Sequence, residues 1–66
     1  MHVAVNGKPR EVTDGVTVSA LLEELALTSG PVAVEINRAI VPRATHASHV
    51  VQAGDAIEIV HFVGGG

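Results

Sequence analysis

In Thr17-Val18-Ser19-Ala20-Leu21-Leu22-Glu23-Glu24-Leu25 the spacing of apolar residues changes from two to three and four. Val18, Leu21, Leu22 and Leu25 fall at i, i+3, i+4 and i+7, one face of a helix, with Glu23 and Glu24 on the opposite side. Thr17 stands just before the first apolar position and predicts an N-cap, its hydroxyl accepting from an orphan amide. Gly30-Pro31 predicts the stop, because Pro cannot continue a helix and Gly lets the chain reverse. Burying each leucine contributes about 1.5–3 kcal/mol, so this one helix brings a large part of the core.

Upstream, the pattern is that of strands. His2-Val3-Ala4-Val5 alternates, Asn6-Gly7 is a strong hairpin signal, and Lys8-Pro9-Arg10-Glu11-Val12 returns as a second strand. Pro9 places that strand at an edge, or itself at the strand's first position. Asp14-Gly15 marks the turn into the helix. Downstream, Val32 to Ile36 is a third strand, Asn37-Arg38 a tight turn, and Ile40-Val41 a short strand ended by Pro42. Between Arg43 and Gln52 a short helical turn is expected near Thr45–Ala47. Ala53-Gly54-Asp55 reads as a turn, with the Asp55 side chain bonding nearby amides. Ala56 to Phe62 is the last strand, Ile57 and Ile59 on one face and Glu58 on the other.

A hairpin, a helix and further strands in this order predict an α+β domain, a mixed sheet of four to five strands with one main helix packed on one face. The helical connection allows the first and last strands to run parallel. Residues 1–63 form the domain, and residues 64–66 a flexible glycine tail.

Composition narrows the class. The chain has 66 residues, room for one core only. Hydrophobic residues make up 47%, mostly Val, Ile, Leu and Ala, and Phe62 is the only aromatic, so the core is aliphatic. With no cysteine there is no disulfide framework, thiolate nucleophile or sulfur-ligated zinc. The formal charge is −3, and Lys8, Arg10, Arg38 and Arg43 make no basic cluster, which argues against nucleic acid. Nothing resembles a signal peptide or a membrane span, so a cytoplasmic protein that meets protein partners is expected.

The order of elements resembles the ubiquitin-like β-grasp fold. Val34-Glu35-Ile36-Asn37-Arg38-Ala39-Ile40-Val41-Pro42-Arg43 resembles a segment of the sulfur carriers of thiamine (thiazole) biosynthesis, the ThiS family. Gly54-Asp55 before an Ile-rich strand, and Gly65-Gly66 at the end, resemble the same family, and the likeness covers essentially the whole chain. The chain departs in two places. His46 stands where many members have a tryptophan, and Gly64 adds a third glycine before the usual pair.

The resemblance implies that the working group is the carboxylate of Gly66. A partner adenylating enzyme (E1-like, ThiF-type) would consume ATP to make its acyl-adenylate. Sulfur from a persulfide donor would displace AMP, and the resulting thiocarboxylate would supply a thiazole synthase (ThiG-type). Gly64, Gly65 and Gly66 suit threading into such active sites, because a Cβ would forbid many of the backbone angles. On this reading the chain is a carrier and cosubstrate, not an enzyme, with no catalytic residue, no metal and no bound cofactor. A related carrier for molybdopterin or another sulfur-containing product is the alternative within the mechanism. A β-grasp interaction module with an incidental tail is the alternative outside it.

Other residues admit plainer readings. Phe62 and Val63 flank the tail and serve either core closure or partner docking. His46 and His49, three residues apart, are read as surface polar sequence because no carboxylate or Cys joins them at ligand spacing. His61 shares the phase of Ile57 and Ile59 and is read as half-buried. Arg38 and Arg43 are read as surface ion-pairing residues rather than partner contacts.

Overall fold

The computed structural model describes residues 1–28 and 30–62. Strand β1 (His2–Val5) and strand β2 (Lys8–Glu11) form an antiparallel hairpin. Its turn residues Asn6 and Gly7 have φ of 51° and 81°, the left-handed pair that a two-residue turn matched to strand twist requires. Pro9 is harmless there because β2 is an edge strand.

Helix α1 (Val18–Glu24) begins as its sequence predicts, with Thr17 extended and its Oγ1 accepting from the Ala20 amide at 3.2 Å. Two further orphan amides of the first turn are met from a distance. Val18 N–H donates to the His49 carbonyl and Ser19 N–H to the His46 carbonyl, each at 2.9 Å. The stretch after Pro42 thus caps the helix with its backbone. It holds a short 3-10 helix, Arg43–Thr45, two residues ahead of the expected turn.

The helix ends earlier than Gly30-Pro31 predicts. Ala26 takes φ of 58°, its amide bonds the Glu23 carbonyl at 3.0 Å, and the Leu27 amide bonds the Leu22 carbonyl at 2.9 Å. This is the closing motif usually made with glycine, and it satisfies carbonyls of the last turn. The reversal also returns Leu27 to pack against the core beside Leu25. The partial burial of Leu27 and the two capping bonds offset the unfavourable φ of an alanine.

Strands β3 (Val32–Ile36), β4 (Ala39–Ile40) and β5 (Ala56–His61) complete a five-stranded sheet in the order β2-β1-β5-β3-β4. β1 and β5 are parallel and the other pairings antiparallel. This is the mixed sheet with one main helix expected of the β-grasp arrangement. β4 lies one residue earlier than the sequence pattern suggests, since Asn37 and Arg38 alone (φ 52° and 70°) make the hairpin turn. The core joins Val18, Leu21 and Leu22 of α1 to Val3, Val34, Ile36, Ile57 and Ile59 from the strands, with Val12, Val16, Val41 and the fully buried Val51 added by the connecting segments. No helix of the described residues is long and apolar enough to cross a membrane.

Candidate functional site

The chain approaches its glycines through β5, and β5 is the most constrained strand of the sheet. It sits in the middle, paired with β3 from Val32↔His61 to Ile36↔Ile57 and with β1 at Ala4↔Ala56 and Val5↔Ile57. Where β1 stops, the Asn6 side chain takes over its hydrogen bonding. Asn6 Oδ1 accepts from the Ile59 amide at 2.7 Å, and its Nδ2 donates to the Ile59 carbonyl at 3.1 Å.

Asn37 does the same work at the start of the strand. Its amide donates to the Ala56 carbonyl at 2.8 Å and its Oδ1 accepts from the Ala56 amide at 3.0 Å. Its Nδ2 donates to Asp55 Oδ1 at 3.0 Å, while Asp55 Oδ2 accepts from the Gln52 amide at 2.8 Å. Asp55 is buried and fully engaged, in agreement with its reading as a turn residue. Both asparagines have positive φ, which a short polar side chain tolerates. Their second role, clamping the last strand, was hidden in the sequence because each looks like an ordinary turn residue.

At the exit, the Phe62 amide donates to the Pro31 carbonyl at 3.0 Å. The pairing therefore reaches one residue past β5, as far as the sequence predicts. Gly30 packs beneath this point with φ of 81°, and a Cβ there would lie 3.3 Å from the Phe62 carbonyl oxygen. Phe62 is itself 55% exposed, so its ring does not close the core. Val63, Gly64, Gly65 and Gly66 lie outside the described residues.

The histidines divide by environment. His46 is buried, contrary to its reading as surface sequence, and its Nε2 lies 3.1 Å from the Val41 carbonyl oxygen. A carbonyl only accepts, so Nε2 carries the proton in this bond. The clue lay in the resemblance, which sets His46 where many members of the family have a tryptophan, a residue type highly buried on average. His49 is half-buried, as is His61, and His2 lies 3.7 Å from Glu11 on the exposed hairpin. Among the described residues no three His, Asp or Glu side chains could share a metal ion. Arg38 and Arg43 form no ion pair among the described residues.

A shallow hollow of about 240 Å³ opens between α1 and the 3-10 helix, lined by Ser19, Glu23, Gly30, Arg43 and His46 among others. Ser19, Glu23 and His46 meet there, yet no hydrogen bond joins them, and the His46 Nε2 is committed to Val41. What the described residues build is a clamped central strand that leads toward residues 63–66 rather than an assembled set of reacting side chains.

Comparison with known proteins agrees with this geometry. The family model of the ThiS family matches residues 3–66. The chain is 38% identical over 66 residues to the sulfur carrier protein ThiS of Escherichia coli, covering all of both chains. It is 47% identical over 66 residues to a thiazole synthase of Paramagnetospirillum magneticum, of which it spans only 20%. A second thiazole synthase, from Magnetococcus marinus, is 44% identical and is again spanned over 20% of its length. The crystal structure of a thiamine biosynthesis protein (ThiS) from Geobacter metallireducens superposes with a TM-score of 0.84 at 36% identity, with both chains fully covered.

Proposed function

This chain belongs to the ThiS family, and from that premise we propose that it carries sulfur for thiamine biosynthesis as a thiocarboxylate on Gly66. The observation that carries the proposal is the design of β5. A central strand, clamped by Asn6 and Asn37, is followed after Phe62 and Val63 by three residues without side chains.

A carboxylate is a poor acylating group, because its charge repels nucleophiles and oxide is a poor leaving group. Ionised at neutral pH, the Gly66 carboxylate attacks the α-phosphorus of ATP on an adenylating enzyme, and pyrophosphate leaves. The terminal sulfur of a protein persulfide then attacks the acyl carbon and AMP departs. A thiol cleaves the resulting acyl disulfide, becoming oxidised to a disulfide, and the thiocarboxylate remains. That sulfur passes to a thiazole synthase. The part of the chain is to present the acyl carbon at the end of a side-chain-free tail that narrow active sites admit. Phe62 and Val63, where the tail begins, contribute apolar contact to those partners. The protein is consumed and regenerated as a cosubstrate, with ATP used by the partner and no resident cofactor. Two thiazole synthases containing a segment similar to this chain support the pairing of carrier and synthase.

Incubation with ATP, an adenylating enzyme and a persulfide donor tests the reading. The intact mass rises by the replacement of one oxygen by sulfur, and deleting Gly65 and Gly66 together abolishes the gain. No gain with the wild-type chain overturns it.

A further inference from the structure

Asn6-Gly7 sets an amide side chain before a residue without a Cβ, in the exposed turn of the β1–β2 hairpin. Such a pair has a chemistry of its own. The main-chain nitrogen of the second residue attacks the side-chain carbonyl of the first, and glycine leaves that nitrogen unhindered and its backbone free to turn. Among the described residues the Gly7 N–H makes no hydrogen bond, and a Cβ on Gly7 would meet nothing within 4 Å. The nucleophile is therefore uncommitted.

The Ile59 backbone holds the reaction back. Oδ1 and Nδ2 of Asn6 are both bonded there, so turning Cγ onto the Gly7 nitrogen means giving up both bonds. The hairpin favours such openings. All four residues of β2 are exposed, and at the edge of the sheet β2 has β1 as its one neighbour.

We propose that Asn6 is a self-modification site, where the chain loses ammonia through a cyclic imide and with it the upper clamp on β5. In the opened hairpin the Gly7 nitrogen gives up its proton and bonds to Asn6 Cγ. The Cγ–Nδ2 bond breaks, and ammonia departs with that proton. One water then opens the five-membered imide. Hydrolysis at Cγ leaves aspartate; hydrolysis at the Asn6 main-chain carbonyl leaves isoaspartate, its backbone routed through Cβ and Cγ. Aspartate sets a carboxylate oxygen against the Ile59 carbonyl in place of a donor. Isoaspartate also adds a methylene to a two-residue turn whose φ angles of 51° and 81° match the strands it joins.

The fold contains its own control. Asn37 shares the left-handed backbone, with φ of 52°, and also clamps β5, yet Arg38 follows it. A side chain there crowds the attacking nitrogen, so Asn37 persists while Asn6 reacts. Asp14-Gly15 has the glycine but offers an ionised carboxylate, a poor electrophile.

The test is peptide mapping by mass, after weeks in neutral buffer at the host's growth temperature. Asn6 should gain the mass difference between a hydroxyl and an amino group, as two isomers separable by chromatography, while Asn37 stays unchanged. Gly7→Arg copies the Asn37-Arg38 turn and should slow the reaction at Asn6 about tenfold or more. Unfolding the wild type in urea should speed it. The modified fraction should melt about 4 °C or more below the unmodified chain, with faster hydrogen exchange at the Ile59 amide. An Asn6 that stays intact, one that reacts no faster than Asn37, or a Gly7→Arg chain that reacts like the wild type overturns the site. A rate no higher in urea overturns the protection by Ile59, and an unchanged melt overturns the loss of the clamp. None of these results bears on the reading of Gly66.

Discussion

Asn6 holds Ile59 by both of its backbone groups, accepting from the amide at 2.7 Å and donating to the carbonyl at 3.1 Å. A side-chain amide at the end of β1 thus stands in for the strand's next peptide, and the parallel pairing with β5 continues although β1 has turned away. Asn6→Asp keeps the tolerance for φ of 51° but sets a carboxylate oxygen against the Ile59 carbonyl. We predict a loss of about 1–3 kcal/mol by urea unfolding, with faster hydrogen exchange at the Ile59 amide. Asn6→Gly relieves the backbone but forfeits both bonds, and a smaller loss is expected.

Ala26 and Arg38 occupy left-handed backbone, with φ of 58° and 70°. Residues with a Cβ lose roughly 1–2 kcal/mol there, and glycine regains part of this after its own entropic penalty. Ala26→Gly and Arg38→Gly are each expected to stabilise the fold by about 0.5–1 kcal/mol. Thermal melts of the single and double variants check this, and the two sites should add.

Gly30 supports the end of β5. Gly30→Ala meets two obstacles, the φ of 81° and the Phe62 carbonyl 3.3 Å from the new Cβ. Gly15→Ala meets only the first, since its φ is 85° and nothing lies within 4 Å. The Gly30 variant should therefore be the less stable of the two, with a loss of about 1–3 kcal/mol. Hydrogen exchange at the Phe62 amide should rise in that variant alone.

His46 packs in the core and ties to the Val41 carbonyl at 3.1 Å. His46→Ala removes both contributions and is expected to lose about 2–4 kcal/mol. His46→Phe restores the volume and leaves the carbonyl without this partner, for a loss of about 1–2 kcal/mol. Equal losses in the two variants would mean that packing contributes nothing.

Local signals carried most of the architecture. The i, i+3, i+4, i+7 series located α1, Thr17 its cap, and Asn6-Gly7 the hairpin, because in each case the determining physics lies within a few residues. What stayed hidden depends on distant partners. The capping of Val18 and Ser19 by the carbonyls of His49 and His46 joins segments some thirty residues apart, and no spacing rule announces it. The same holds for Asn6 and Asn37, whose side chains reach a strand far along the chain. Ala26 misleads for a different reason: glycine is the usual signal for a helix stop, and here an alanine closes the helix with the bonds to the Glu23 and Leu22 carbonyls. For the candidate site, the terminal glycines were legible at once.

The intact mass of this protein isolated from its own host tests the central claim most directly. The account predicts a fraction heavier by the difference between sulfur and oxygen, mapped to Gly66 by fragmentation and absent from a chain extended past that residue. A heavier species mapping elsewhere would contradict it. So would a chain that stays unmodified after exposure to ATP, adenylating enzyme and persulfide.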